Sequence, residues 1–143
     1  MNDHFNLDRF VIAQQTNYQT ALTEVKNGKK ESHWMWYIFP QISGLGRSNH
    51  AVLYAIRNLD EAIAYLNHPI LGKRLLEITN ALLALNEIHP SEIFGSLDNE
   101  KLKSSMTLFA KTPYADAVFT KVLAKFYKGE MDKKTVEILN RRN

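Results

Sequence analysis

One short stretch holds most of the residues whose types could do chemistry. Ser32-His33-Trp34-Met35-Trp36-Tyr37-Ile38-Phe39-Pro40-Gln41 runs on into Ile42-Ser43-Gly44-Leu45-Gly46-Arg47-Ser48. His33 is the acid–base candidate, because imidazole gives and takes protons near neutral pH without a large shift. Beside Ser32 and Gln41 it can act as a general base or hold a phosphate or carboxylate. The competing reading is a core histidine, hydrogen-bonded beside two tryptophans. Trp34 and Trp36 are two residues apart, so on a helix they point about 200° away from each other. At least one therefore belongs to the core, and either can stack on a base or another planar ring.

Two further groups could bind an anion. Gly44-Leu45-Gly46-Arg47-Ser48 leads into a helix, whose N-terminus offers free N–H groups, and Arg47 can add a bidentate contact. The glycine spacing and the missing lysine exclude a Walker loop, and without a preceding strand the dinucleotide fingerprint fails too. The plain alternative is a glycine turn followed by a serine cap. Lys101, Lys103, Ser104, Ser105 and Thr107 lie on one helix. Lys101 and Ser105 share a face, and Lys103 and Thr107 share another. A serine with a lysine at helical spacing suits nucleophile chemistry, and it equally suits a solvated face. The histidines at 4, 33, 50, 68 and 89 are dispersed, so no metal site is expected.

The elements that must position these groups read as helices. Helix 7–27 carries Phe10, Tyr18, Leu22 and Val25 as one stripe, starts at Asn6 or Asp8, and stops at Gly28. Ser32 is expected to cap a helix over 33–38, ended by Pro40. Ser48 caps a helix over 49–57 with Val52, Leu53 and Ile56 inward. Asn58 or Asp60 starts the next, broken at His68-Pro69. Helix 70–85 keeps Leu71, Leu75, Ile78, Leu82 and Leu85 in strict register and is the expected core helix. Glu92-Ile93-Phe94 is one turn ending at Gly95, and Asp98 caps a helix over 99–110. A helix over 114–127 and a last one from Asp132 complete the chain, the latter fraying into Arg141-Arg142-Asn143. No run alternates with period two. The pattern predicts an all-α bundle or horseshoe of seven to nine helices, several short, in a single domain over 1–143.

Composition narrows the function classes. The chain has 143 residues, 45% of them hydrophobic and 23% charged, enough for one buried core. Its net charge of +3 allows an anionic ligand but, with acidic residues interspersed through most helices, does not favour nucleic acid. The absence of cysteine excludes disulfides and thiolate chemistry. Met1-Asn2-Asp3-His4 has no basic segment followed by an apolar run, and no apolar stretch approaches a membrane span. A soluble cytoplasmic protein without a cofactor is expected.

The central stretch, with Gly44-Leu45-Gly46-Arg47-Ser48 after it, resembles the signature of the DUF1810 family. Ala64-Tyr65-Leu66-Asn67-His68-Pro69-Ile70-Leu71-Gly72, Glu92-Ile93-Phe94-Gly95 and Leu102-Lys103-Ser104-Ser105-Met106-Thr107-Leu108-Phe109 extend that resemblance over almost the whole chain. It implies a mainly helical bundle or horseshoe and no assigned biochemical function. The label calpastatin, sometimes attached to the family, fits poorly, because such inhibitors are flexible repeat chains.

The residues favour a site between the central stretch and the 101–107 block. Its ligand would be an anionic small molecule such as a nucleotide or phosphorylated metabolite. Arg47, Lys101 or Lys103 would hold the charge, a tryptophan would stack, and His33 would serve any hydrolysis or group transfer. This reading requires the two blocks to lie within a pocket's width of each other. A non-catalytic module that binds proteins or peptides is the alternative, with the aromatics as its core. Whether chemistry occurs, and the oligomeric state, are left open by the sequence.

Overall fold

The computed structural model describes residues 3–86 and 88–142. Eight helices account for its regular structure: α1 (Asp8–Lys26), α2 (Met35–Ile38), α3 (Asn49–Leu53), α4 (Leu59–Asn67), α5 (Leu71–Leu83), α6 (Pro90–Ala110), α7 (Ala117–Tyr127) and α8 (Lys133–Arg142). The all-α reading holds. Among the described residues the sheet-like pairing is a single parallel bridge between Ile42 and Ile56.

α5 is the central helix, as its register predicts. Leu71, Leu75, Ile78 and Leu82 are buried against α1, α4 and α7. Each contributes about 1.5–3 kcal/mol relative to exposure. Leu85 is only partly buried, because the helix ends two residues earlier. Gly72 allows α4 and α5 to meet: a Cβ there would sit 2.0 Å from the Leu66 carbonyl oxygen. α1 buries Phe10, Tyr18, Ala21, Leu22 and Val25 on its inner face, together with the polar Gln14 and Glu24.

Several boundaries differ from the sequence expectation, each for an identifiable reason. α1 is capped by neither Asn6 nor Asp8. The Asp3 carboxylate accepts from the N–H groups of Leu7 and Asp8 at 2.6 and 2.9 Å. Ser32 does not cap α2, which begins three residues later, because its hydroxyl and N–H are both drawn to Glu24. The helix expected over 49–57 ends at Leu53. Val52 and Leu53 are 64% and 54% exposed, while Ile56 leaves the helix to pair with Ile42. Asp98 is not a cap either. α6 runs through it, broken only at Gly95 (φ +81°), and the Asp98 carboxylate lies between two lysines. α7 starts at Ala117, where Asp116 Oδ1 accepts the Val118 N–H, and not at Tyr114, which has a left-handed backbone. The expected caps at Ser48 and Asn58 are present. α8 starts after Asp132, which accepts from Thr135. Its expected fraying at Asn143 lies outside the described residues. No described helix is long and apolar enough to cross a membrane.

Candidate functional site

The segment 31–34 closes on the Glu24 carboxylate. Oε1 accepts from the Glu31 N–H at 2.8 Å, the Ser32 N–H at 3.0 Å and the Trp34 indole N–H at 2.9 Å, and Oε2 from the Ser32 hydroxyl at 2.7 Å. Burial alone would raise this carboxyl. The hydrogen bonds, led by the Ser32 hydroxyl and the Glu31 N–H, more than offset it and hold the pKa at about 2. Trp34 is fully buried, with Phe39 and Phe94 packed on it at ring-centroid separations of 6.2 and 6.1 Å. Lys30 Nζ lies 5.1 Å from its ring centroid. Ser32 and Trp34 thus turn inward, and His33 between them points outward. It is exposed, not the core histidine of the competing reading, and its ring makes no hydrogen bond among the described residues.

Two residues on, α2 presents Trp36 to the surface, as the helical twist requires. Trp36 is half-buried, stacks on His50 at 4.8 Å and 25°, and has Lys101 Nζ 5.8 Å from its ring centroid. It lines a cleft of about 430 Å³ with Gln41, Leu45, Gly46, Arg47, Ser48, Ala51 and Lys101. The central stretch and α6 therefore meet within one pocket's width. Lys101 is held by Asp98 Oδ1 at 3.0 Å, and Asp98 Oδ2 in turn by Lys30 at 3.0 Å. Burial would raise the Asp98 carboxyl, but the two ammonium groups keep it below the usual carboxylate range. One carboxylate against Lys30, Lys101 and the exposed Arg47 leaves the neighbourhood positive. Arg47 makes no ion pair among the described residues.

The turn entering α3 contributes less than its glycines suggest. α3 has five residues, too few for an appreciable dipole, and Ser48 Oγ already accepts the Ala51 N–H at 3.1 Å. Gly46 is bare because a Cβ would fall 2.6 Å from that of Ala51. Gly44, at φ +108°, turns the chain against Ile138 and Arg142 of α8, away from the cleft.

The rest of the 101–107 block separates. Lys103 and Ser104 line an adjoining cleft, with Ser104 Oγ donating to the Glu100 carbonyl at 3.0 Å. Ser105 is fully buried and its hydroxyl has no partner among the described residues. Thr107 is also buried. Its hydroxyl donates to the Lys103 carbonyl at 2.8 Å and accepts the Asp132 N–H at 2.9 Å, pinning the start of α8. Among the described residues no three His, Asp or Glu side chains gather as metal ligands.

Sequence reasoning passed over three buried polar groups that set this geometry. Glu24 is one. Arg9 and Glu61 are the second, paired at 2.8 Å, with Arg9 also donating to the carbonyls of Phe5, Asn6, Leu53 and Ala55. Gln14 is the third, donating to the Tyr37 carbonyl at 2.8 Å and the Tyr65 hydroxyl at 3.1 Å. Of these only Gln14, a polar residue amid the apolar stripe of α1, carried a signal in the sequence.

A family model described as "Protein of unknown function (DUF1810)" matches residues 4–139. The chain is similar to the crystal structure of the conserved hypothetical protein Rv1873 from Mycobacterium tuberculosis. The two are 47% identical with a TM-score of 0.95, over 96% of this chain and 99% of that one. No curated protein matches.

Proposed function

The chain belongs to the DUF1810 family, whose function is unknown, and from that premise we propose that the Trp36 cleft binds an anionic small molecule carrying a planar ring, such as a nucleotide or phosphorylated metabolite. One observation carries this reading. Trp36, Gln41, Arg47 and Ser48 of the central stretch and Lys101 of α6 line one open cleft with no carboxylate among its lining residues. Arg47 supplies a fork of donors for a phosphate or carboxylate, Lys101 a second charge, and Trp36 a stacking face. Gln41 and Ser48 add neutral hydrogen-bonding groups at the rim.

The reading is binding, with no chemical step assigned. His33 lies outside the cleft, and the imidazole beside it is His50, stacked on Trp36. Thermal denaturation against nucleotides and sugar phosphates, for the wild type and Arg47→Ala, tests it. Stabilisation by anionic ring compounds is expected, weakened at least tenfold in apparent affinity by the substitution. Wild type indifferent to every anion would end the proposal.

A protein-interaction module remains the second reading, supported by a different cleft. About 400 Å³ between α4, α5 and α7 is lined by Ile63, Leu66, Leu76 and Phe119, under a loop that holds Tyr114 fully exposed. A peptide bound there would be lost on Tyr114→Lys with the Trp36 cleft unaffected.

A further inference from the structure

The Trp36 cleft does not end at Leu45. That side chain lines it and also lines a second cleft of about 840 Å³. α6 underlies both: Lys101 faces the first, and Glu100, Lys103 and Ser104 face the second. The two clefts adjoin at Leu45 along α6 and are taken together as one groove.

Their charges differ in kind. The first half carries Arg47, without an ion pair among the described residues, and Lys101, which Asp98 holds from outside the lining, and no lining carboxylate. The second mixes Glu100 and Glu130 with Lys103, Lys133 and Lys134. Asp132 also lies there, but its Oδ2 is taken by the Thr135 N–H and hydroxyl at 3.0 and 2.7 Å. Glu130 faces Lys103 loosely, at 3.9 Å, and is itself 70% exposed. Glu100 is exposed and makes no ion pair among the described residues. Glu100, Glu130 and Asp132 balance Lys103, Lys133 and Lys134, so this half offers a further anionic group no net attraction. A hydroxyl-rich neutral group would find carboxylate acceptors and ammonium donors interleaved, the set its O–H groups need.

Resting on the ligand reading above, we propose that the groove takes a phosphate ester extended beyond its phosphate by an uncharged, hydroxyl-rich group: a nucleoside diphosphate sugar by chemical class. The ring lies at Trp36, the phosphates at Arg47 and Lys101, and the sugar passes Leu45 to reach Glu100, Glu130 and Lys103.

Isothermal titration of the whole chain with AMP, ADP and ADP-glucose, and with the three uridine counterparts, tests this. In at least one series the sugar nucleotide binds about tenfold or more tightly than the diphosphate. In Glu100→Ala/Glu130→Ala, two exposed positions where folding is not at stake, that gain disappears and the plain diphosphate binds more tightly than to wild type. Equal affinity for diphosphate and sugar nucleotide, with both lost in Arg47→Ala, overturns the extension and leaves the first cleft as a simple phosphate-ester site. Absence of binding in both series, or binding indifferent to Arg47→Ala and Trp36→Ala, overturns the extension and the ligand reading together.

Discussion

The Glu24 knot and the Trp36 cleft share no residue, yet they meet on one stretch of chain and use similar chemistry. Each has a tryptophan, a serine and a lysine near an aromatic ring. In the knot the buried polar atoms are paired: one carboxylate takes four donors, and Trp34 is sealed beneath them. In the cleft the Trp36 indole N–H has no partner among the described residues, Arg47 makes no ion pair, and the ring is open to solvent on the cleft side. Paired polar groups around a closed space hold a fold together. Unpaired ones around an open space are free to hold something else. Residue type alone does not separate the two.

The largest expected effect falls on the knot. Glu24→Ala leaves the buried Trp34 indole N–H and its neighbours without their acceptor, and should cost about 3–4 kcal/mol in urea denaturation. A loss below about 1 kcal/mol would mean that packing of Trp34, and not the carboxylate, organises the segment. Acid sharpens the same test. The Glu24 carboxyl is held at about 2 in the fold against a usual 4.5. Between those values the unfolded chain binds the extra proton, so stability falls as pH falls. The contribution is complete above about 4.5 and lost toward about 2. The stability difference between wild type and Glu24→Gln should therefore shrink through that window. A constant difference would show that the hydrogen bonds do not depend on the charge.

Trp36→Ala should invert the pattern. The side chain is half-buried, so its loss costs about 1 kcal/mol of stability, chiefly the stack on His50. Affinity for a ring-bearing anion should fall ten- to a hundredfold, the measure of one lost stacking contact. Calorimetry on the variant decides. A loss of stability as large as that of Glu24→Ala, with affinity unchanged, would make Trp36 a second core tryptophan and erase the contrast.

How far the sequence led follows from the range of each interaction. Helices were legible because their signals are local: Leu71, Leu75, Ile78 and Leu82 repeat every three or four residues, and Ser48 and Asn58 cap within three. The cleft was legible in part, since Trp36, Arg47 and Lys101 are unlike the residues a core demands. The knot was not. Glu24 reads as a surface residue of an amphipathic helix, and its donors lie seven to ten residues on, across a turn. Arg9 and Glu61, 52 residues apart, leave no periodic trace at all. Val52 and Leu53 show the reverse error: helical spacing placed them inward, yet the chain spends Ile56 on the bridge to Ile42 and leaves both exposed.

The smallest effect concerns Ser105, which the sequence grouped with Lys101 on one face of a candidate site. Its hydroxyl is fully buried and has no partner among the described residues, a state that costs folding energy without serving the cleft. Ser105→Ala removes that hydroxyl and places a better helix former in the middle of α6. Stability should rise by about 0.5–1 kcal/mol, and any ligand-induced thermal shift should stay as in wild type. A reduced shift with unchanged stability would instead put Ser105 in the binding machinery. The boundary between closed core and open cleft would then run one helical turn deeper into α6 than the Lys101 side chain marks it.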